Sequence, residues 1–298
     1  MIQLVTFLHD GQSRTGLLHE GNIYASPRYA RVQDVLDDWP RADGKLAVLA
    51  GDLPGREPVH GATLLAPHPH PPTIYFAGAN YRDHVEEMQR ELSMPLEIDP
   101  KGAGQMPWHA IKASGTTVVG PEARVRVPSG APLLDWELEL GVIVGRTAKD
   151  VAVDDAMDYV AGYVVANDLS ARGHFGRPGV AEGSPFKWDW IGQKSFDGAC
   201  PLGPAITPAR FVPDPMNLAM KLWVNDELMQ DSNTSRMLFS IADQIAHLSS
   251  RLTLQPGDLI LTGTPAGVGA ARKRFLKPGD VVRQWIEHIG EFRFTIAQ

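Results

Sequence analysis

The stretch Leu133-Leu-Asp-Trp-Glu-Leu-Glu-Leu-Gly-Val-Ile-Val144 carries the pattern on which the fold turns. On a β-strand, residues two apart face the same way. Glu137 and Glu139 therefore point together, while Trp136, Leu138 and Leu140 point into a core. Adjacent carboxylates repel, so such a pair is stable when a cation lies between them or when both are well solvated. A second apolar strand, Gly162-Tyr-Val-Val-Ala-Asn167, ends at Asp168, and a side chain at a strand end can reach a neighbouring strand's site. Three hard oxygen donors suit Mg²⁺, Mn²⁺ or Ca²⁺ better than zinc. No H-E-x-x-H occurs and Cys200 is the only thiol, so the usual zinc patterns are absent. The same spacing also fits a solvated outer face with alternating Glu.

Outward from this strand the pattern stays mostly β. Ile74–Ala77, Thr117–Val119, Trp136–Gly145, Gly162–Asn167, Leu218–Val224 and Leu259–Thr262 are expected strands, punctuated by Gly and Pro. Their spacing points to a rolled or barrel-like sheet rather than βαβ repeats. The clearest helix is Ile241–Leu252, with Ile241, Ile245, Leu248 and Leu252 on one face and a capping-box start at Ser240 and Asp243. Residues 1–70 read as a small N-terminal domain of short hairpins. Gln3–Leu8, Thr15–Leu18 and Asn22–Ala25 are separated by Asp-Gly and Glu-Gly pairs and followed by one amphipathic helix through Val32, Val35, Leu36 and Trp39. Pro67-His-Pro-His-Pro-Pro72 reads as the linker to a catalytic domain over 71–298.

Composition narrows the function classes. The 298 residues carry a net charge of −7 and no basic block, which argues against a nucleic-acid partner. A single cysteine fits a reducing compartment. No apolar run approaches a bilayer span, and the N-terminus lacks the basic and apolar regions of a secretory signal. A cytoplasmic protein without membrane contact is the expectation. Cys200 reads as a small buried residue rather than a nucleophile.

Further motifs then fall in order along the chain. Phe76-Ala-Gly-Ala-Asn-Tyr-Arg-Asp-His-Val-Glu-Glu-Met88 places His84 and Glu87 three apart on a helical turn, a spacing at which a carboxylate orients an imidazole. Gly162–Arg172 holds an N-D-x-S-x-R segment, and Gln193-Lys-Ser-Phe-Asp-Gly198 a K-S-F-D segment. Val224-Asn225, Gln230 and Thr234-Ser235 follow, and last comes Pro256-Gly-Asp-Leu-Ile-Leu-Thr-Gly-Thr-Pro-Ala-Gly-Val-Gly269. The final loop lacks the G-K-[ST] of a Walker sequence and the G-x-G-x-x-G of a dinucleotide fold.

Together these segments resemble the fumarylacetoacetate hydrolase family over about residues 73–290. The resemblance implies an α+β, mostly β protein with a mixed β-sandwich roll core, usually homodimeric. It implies a divalent cation, Mg²⁺ or alternatively Mn²⁺ or Ca²⁺, on Glu137, Glu139 and Asp168. It also implies a small 2-oxo or 2,4-dioxo acid substrate. His84 with Glu87 would activate water, and Lys194 would stabilise a developing enolate. Arg172 would clamp a carboxylate. Thr264 would offer its hydroxyl to the substrate, with Tyr81, Lys112 and Asn80 as further pocket or lid contacts. The expected activity is metal-dependent hydrolysis of the C–C bond of an acylpyruvate or fumarylpyruvate, releasing pyruvate. Oxaloacetate decarboxylation or tautomerisation and muconate-type isomerisation use the same enolate chemistry. A protein that only binds an oxo acid is a more remote reading, which the presence of His84, Glu87 and Lys194 disfavours. Two segments, Glu91–Ile111 and Gly173–Trp190, depart from the family pattern, and both could reshape the pocket.

Overall fold

The structure is a computed structural model describing the backbone of residues 1–298 and all side chains except those of 47–52 and 54. Alternation along Leu138–Val144 organises the molecule. Leu138, Leu140, Val142 and Val144 face one core, while Glu139, Gly141 and Ile143 face the other way. All seven residues are buried, so the strand is central and its carboxylate face is not a solvated outer face.

The strand sits inside an 11-stranded mixed sheet. It pairs antiparallel with Val160–Asn167 on one side and with Leu259–Leu261 on the other. Leu259–Leu261 in turn runs parallel to Ile74–Ala77, and His109–Lys112 closes that edge. A five-stranded sheet packs over the leucine face. It comprises Glu227–Asn233, Ala219–Val224, Val281–Ile286, Gly290–Ala297 and Arg124–Arg126. Leu222, Val282, Ile286 and Phe294 meet Leu138, Leu140 and Val142 there, beside helix Ile241–Arg251. That helix starts with the expected capping box, Ser240 and Asp243 each bonding the other's backbone N–H.

The C-terminal hairpin Val281–Ile286 and Gly290–Ala297 lacks a clean apolar alternation because Gln284 occupies a buried position. Its side-chain oxygen accepts Asn167 Nδ2 at 2.8 Å, so the polar residue in the core steadies the strand that leads to Asp168. The expected N-terminal hairpins form, as Ile2–His9, Gln12–His19 and Asn22–Ala25. The helix expected through Trp39 is two helices, Val32–Asp37 and Trp39–Asp52. Pro40, in the first turn of the second helix, lacks the N–H that a continuous helix would need.

The N-terminal segment is joined to the rest by a shared sheet. Ile2–His9 pairs with Cys200–Pro208, with Leu4 opposite Ile206. Its core residues Ile2, Leu4, Val32, Leu36 and Trp39 belong to the same cluster as Ile143, Phe76 and Leu259. The proline-rich stretch is not a free linker either. His68 is buried, and its Nε2 donates to Gly257 O at 2.9 Å.

Candidate active site

The carboxylates converge where the two central strands end. Asp168 N donates to Glu137 O at 2.9 Å, which places the residue after one strand beside the residue before the other. One oxygen each of Glu137, Glu139 and Asp168 lies within 4.8 Å of the others, and all three residues are buried. Buried carboxylates at this spacing require positive charge. Lys194 supplies part of it, with Nζ 2.7 Å from Glu137 Oε2 and 2.6 Å from Asp168 Oδ2. Arg172 reaches Glu137 Oε1 at 2.6 Å. Burial raises the Glu137 pKa, but Lys194 and Arg172 outweigh it and hold the group down to about 2. Glu139 is different. Its Oε2 accepts Gly263 N–H at 2.6 Å, and among the described residues no cationic side chain forms an ion pair with it. Burial, then Asp168 and Glu137, push its pKa well above the ordinary range. A hard, all-oxygen donor set in which one carboxylate, Glu139, has no cation paired with it among the described residues fits a divalent ion.

Lys194 is positioned by the short helix Trp190–Lys194, whose N-cap Asp189 accepts Gly192 N–H at 2.8 Å. Trp190 and Lys194, one turn apart, both line the same cavity. Lys112 does not line it. The fully buried Lys112 ammonium lies 2.8 Å from Asp168 Oδ1 and donates to the carbonyls of Lys194 and Ala199, so it braces the acidic cluster from below.

His84 and Glu87 lie on the helix Arg82–Leu92, longer than the single turn expected from sequence. Its side chains are good helix formers, Asp83 stands in the first turn and Arg90 in the last, and Ser93 ends it in the left-handed conformation. His84 lines the cavity, and its buried Nδ1 faces Glu87 Oε2 at 3.7 Å. Glu87 is held by Gly267 N, which donates to both carboxylate oxygens at 2.9 and 3.0 Å. Burial raises the Glu87 pKa, yet His84 and the Gly267 N–H bring it below its ordinary value. Gly267 is needed there because its φ is +102° and a Cβ would meet Met229 O at 2.0 Å.

Thr264, from the same glycine-rich loop, lines the cavity and accepts Gln230 Nε2 at 2.9 Å, leaving its hydroxyl proton available. Tyr81 is placed elsewhere. It caps the helix Arg82–Leu92, packs fully buried in the main core, and its hydroxyl meets Met220 Sδ at 3.3 Å. A direct Tyr81 contact with a pocket ligand is therefore a correction to the sequence reading; its aromatic ring is worth more in the core. Asn80 likewise spans backbone, donating to the carbonyls of Phe239 and Thr262 and accepting Phe239 N–H. Cys200 is buried, and burial pushes its thiol up to about 12, as a non-nucleophilic residue requires.

Sequence reasoning passed over Asp135, although it stands in the opening stretch. Fully buried, it accepts Arg172 Nε at 3.0 Å and the backbone N–H groups of Trp136, Gly269 and Ala270. It thereby fixes both Arg172 and the glycine-rich loop. The aromatic side of the cavity was also missed as a feature. Trp108 can lie against the backbone only because residue 78 is glycine; a Cβ there would meet the indole at 2.5 Å.

A mixed β-roll with a buried three-carboxylate cluster, a lysine bridging two of its members and a histidine, paired with a buried Glu, facing the same cavity defines a class. The chain belongs to the fumarylacetoacetate hydrolase family: residues 73–297 match the family described as "Fumarylacetoacetate (FAA) hydrolase C-terminal". A mitochondrial oxaloacetate tautomerase of Xenopus laevis is 39% identical over 230 residues, 76% of this chain and 66% of that protein. The aligned part thus spans just under two thirds of that relative's length. The fumarylacetoacetate hydrolase of psychrophilic Exiguobacterium antarcticum superposes with a TM-score of 0.81 at 30% identity, covering 100% of this chain and 99% of that one. A maleylpyruvate hydrolase from Sphingobium sp. SYK-6, solved with manganese(II) and pyruvate, gives 0.74 at 30% identity, covering 99% of each chain. Among the described residues, no helix is long and apolar enough to cross a membrane.

Proposed function

We propose that this protein hydrolyses the C–C bond of a 2,4-dioxo acid, releasing pyruvate and a carboxylic acid. The observation that carries this reading is His84, backed by the buried Glu87, facing the same cavity as Lys194, Glu137 and Glu139. Glu137, Glu139 and Asp168 would hold a divalent cation, Mg²⁺ or Mn²⁺, which when bound supplies Lewis-acid polarisation of substrate oxygens.

The chain's own residues do the rest. His84 takes a proton from water, and Glu87, clamped by Gly267, holds the imidazole in orientation. The water oxygen bonds to C4, the C3–C4 bond breaks, and its electron pair becomes the enolate of pyruvate. The proton held on His84 passes to C3, and the new carboxylic acid ionises. Lys194 places its ammonium where the enolate charge develops. Thr264 donates its hydroxyl to the substrate carboxylate.

The test is loss of the enol ultraviolet band of a short acylpyruvate with Mg²⁺ or Mn²⁺, and again with EDTA, while released pyruvate is assayed. Metal-dependent loss with stoichiometric pyruvate is expected. Replacing His84 by Ala should lower kcat/KM by about 10²- to 10⁴-fold, the usual worth of a general base, with metal binding retained. Full activity in H84A would remove His84 from the mechanism. The identity to oxaloacetate tautomerases favours a second reading, in which His84 only shuttles a proton between enol and keto forms. Enol-to-keto conversion of oxaloacetate without pyruvate from any dioxo acid would select it.

A further inference from the structure

The cavity above the acidic cluster has a volume of about 550 Å³. A four-carbon diacid has nine heavy atoms; even at the roughly 30 Å³ a water takes in the liquid, they fill only about half of it. The remaining wall is aromatic. Phe76 lies with its ring centroid 6.0 Å from both Trp108 and Trp190, which stand 5.0 Å apart. Phe175 meets Trp190 edge-on at 4.7 Å. Trp108, Phe175 and Trp190 come from the two segments, 91–111 and 173–190, that depart from the family pattern, and Phe76 from the motif that also carries His84. The wall joins the ionic floor at Phe76, whose ring lies 5.4 Å from Lys194 Nζ.

Charge decides what the wall accepts. The permanent cations lining the cavity, Arg172 and Lys194, are both engaged by carboxylates at the floor. The charged residue that the 91–111 segment contributes to the lining is Glu97, which repels a second substrate carboxylate. Trp108 is 46% exposed, so a planar ring placed against it gains edge-to-face and apolar contact.

We infer that the aromatic wall is a subsite for an uncharged aryl group on the far side of the substrate from its 2-oxo acid end. The inference rests on the reading that the oxo acid occupies the floor, and it names the substrate class: aryl-substituted oxo acids rather than diacids.

Binding tests it independently of turnover. Calorimetry on the full chain with Mn²⁺ would compare 2-oxo-4-phenylbutanoate, 2-oxobutanoate and 2-oxoglutarate. The phenyl compound should bind about tenfold or more tightly than 2-oxobutanoate, with 2-oxoglutarate weakest. Trp108→Ala should shrink the phenyl advantage, and Glu97→Lys should raise the affinity for 2-oxoglutarate. Equal affinities within threefold, or tightest binding of 2-oxoglutarate, would overturn the subsite. Phenyl preference with no pyruvate released from any dioxo acid would strike the hydrolytic reading and leave the subsite standing. Pyruvate release without phenyl preference would do the reverse.

Discussion

Single residues in this protein carry opposite electrostatic duties according to what surrounds them. Glu137 and Glu139 are two positions apart on one face, yet cations lower the first while burial and like charge raise the second. His68 is a residue-scale example outside the site. Burial lowers its pKa from 6.5 to about 4, partly offset by the bond to Gly257 O. Its Nδ1 has no hydrogen-bond partner, which fits a neutral ring donating through Nε2. Between those two values the unfolded chain binds the extra proton and the folded chain does not. Stability is therefore fully present above pH 6.5 and falls as pH drops toward 4, by about 1.4 kcal/mol per pH unit for this group. Chemical denaturation across that window should show a shallower slope in His68→Gln than in the native chain. Parallel slopes would exclude His68 as a source of the acid sensitivity.

Elements bring the chemistry together through their ends and periods. The strand Leu138–Val144 offers Glu139 to the site, Ile143 to one core and its even positions to the other, so one segment serves all three. The helix Trp190–Lys194 has only five residues, too short to persist without tertiary support. Its N-cap Asp189 is consequently important. Asp189→Ala should cost about 1 kcal/mol, the usual worth of an N-cap. It should also lower kcat, because Lys194 sits on that helix. Thermal melts and steady-state kinetics would check both effects, and unchanged kcat would show that the contacts of Lys194 with Glu137 and Asp168 position it without the cap.

At the scale of the whole molecule, the N-terminal segment completes the large sheet. Removing residues 1–70 would uncover the edge of Cys200–Pro208 and delete the Gln3 amide bonds to Thr207 and Ile289. It would also remove Ile2, Leu4, Val32, Leu36 and Trp39 from a shared core. At roughly 1.5–3 kcal/mol each, those five side chains are worth about 10 kcal/mol, comparable with the whole stability of a domain. We propose that the 71–298 division marks a boundary in the chain and not an independent folding unit. The fragment should lack a cooperative thermal transition by far-ultraviolet circular dichroism, while the full chain melts in one step. A cooperative melt of the fragment would establish two domains.

Local pattern alone determined a good deal. Strand alternation gave the Glu137/Glu139 pairing, apolar period and caps gave the helix Ile241–Arg251, and ordered motifs gave the family. These features depend on neighbours in sequence, where periodicity is a direct record of which side is buried. Tertiary structure decided what depends on distant partners. It put Tyr81 in the core, set Lys112 beneath Asp168, enlisted Asp135 to hold Arg172, and assembled the aromatic wall from segments about 80 residues apart. No local spacing encodes such contacts. A buried charge or ring takes its role from the groups folding brings within a few ångströms, and those come from elsewhere in the chain.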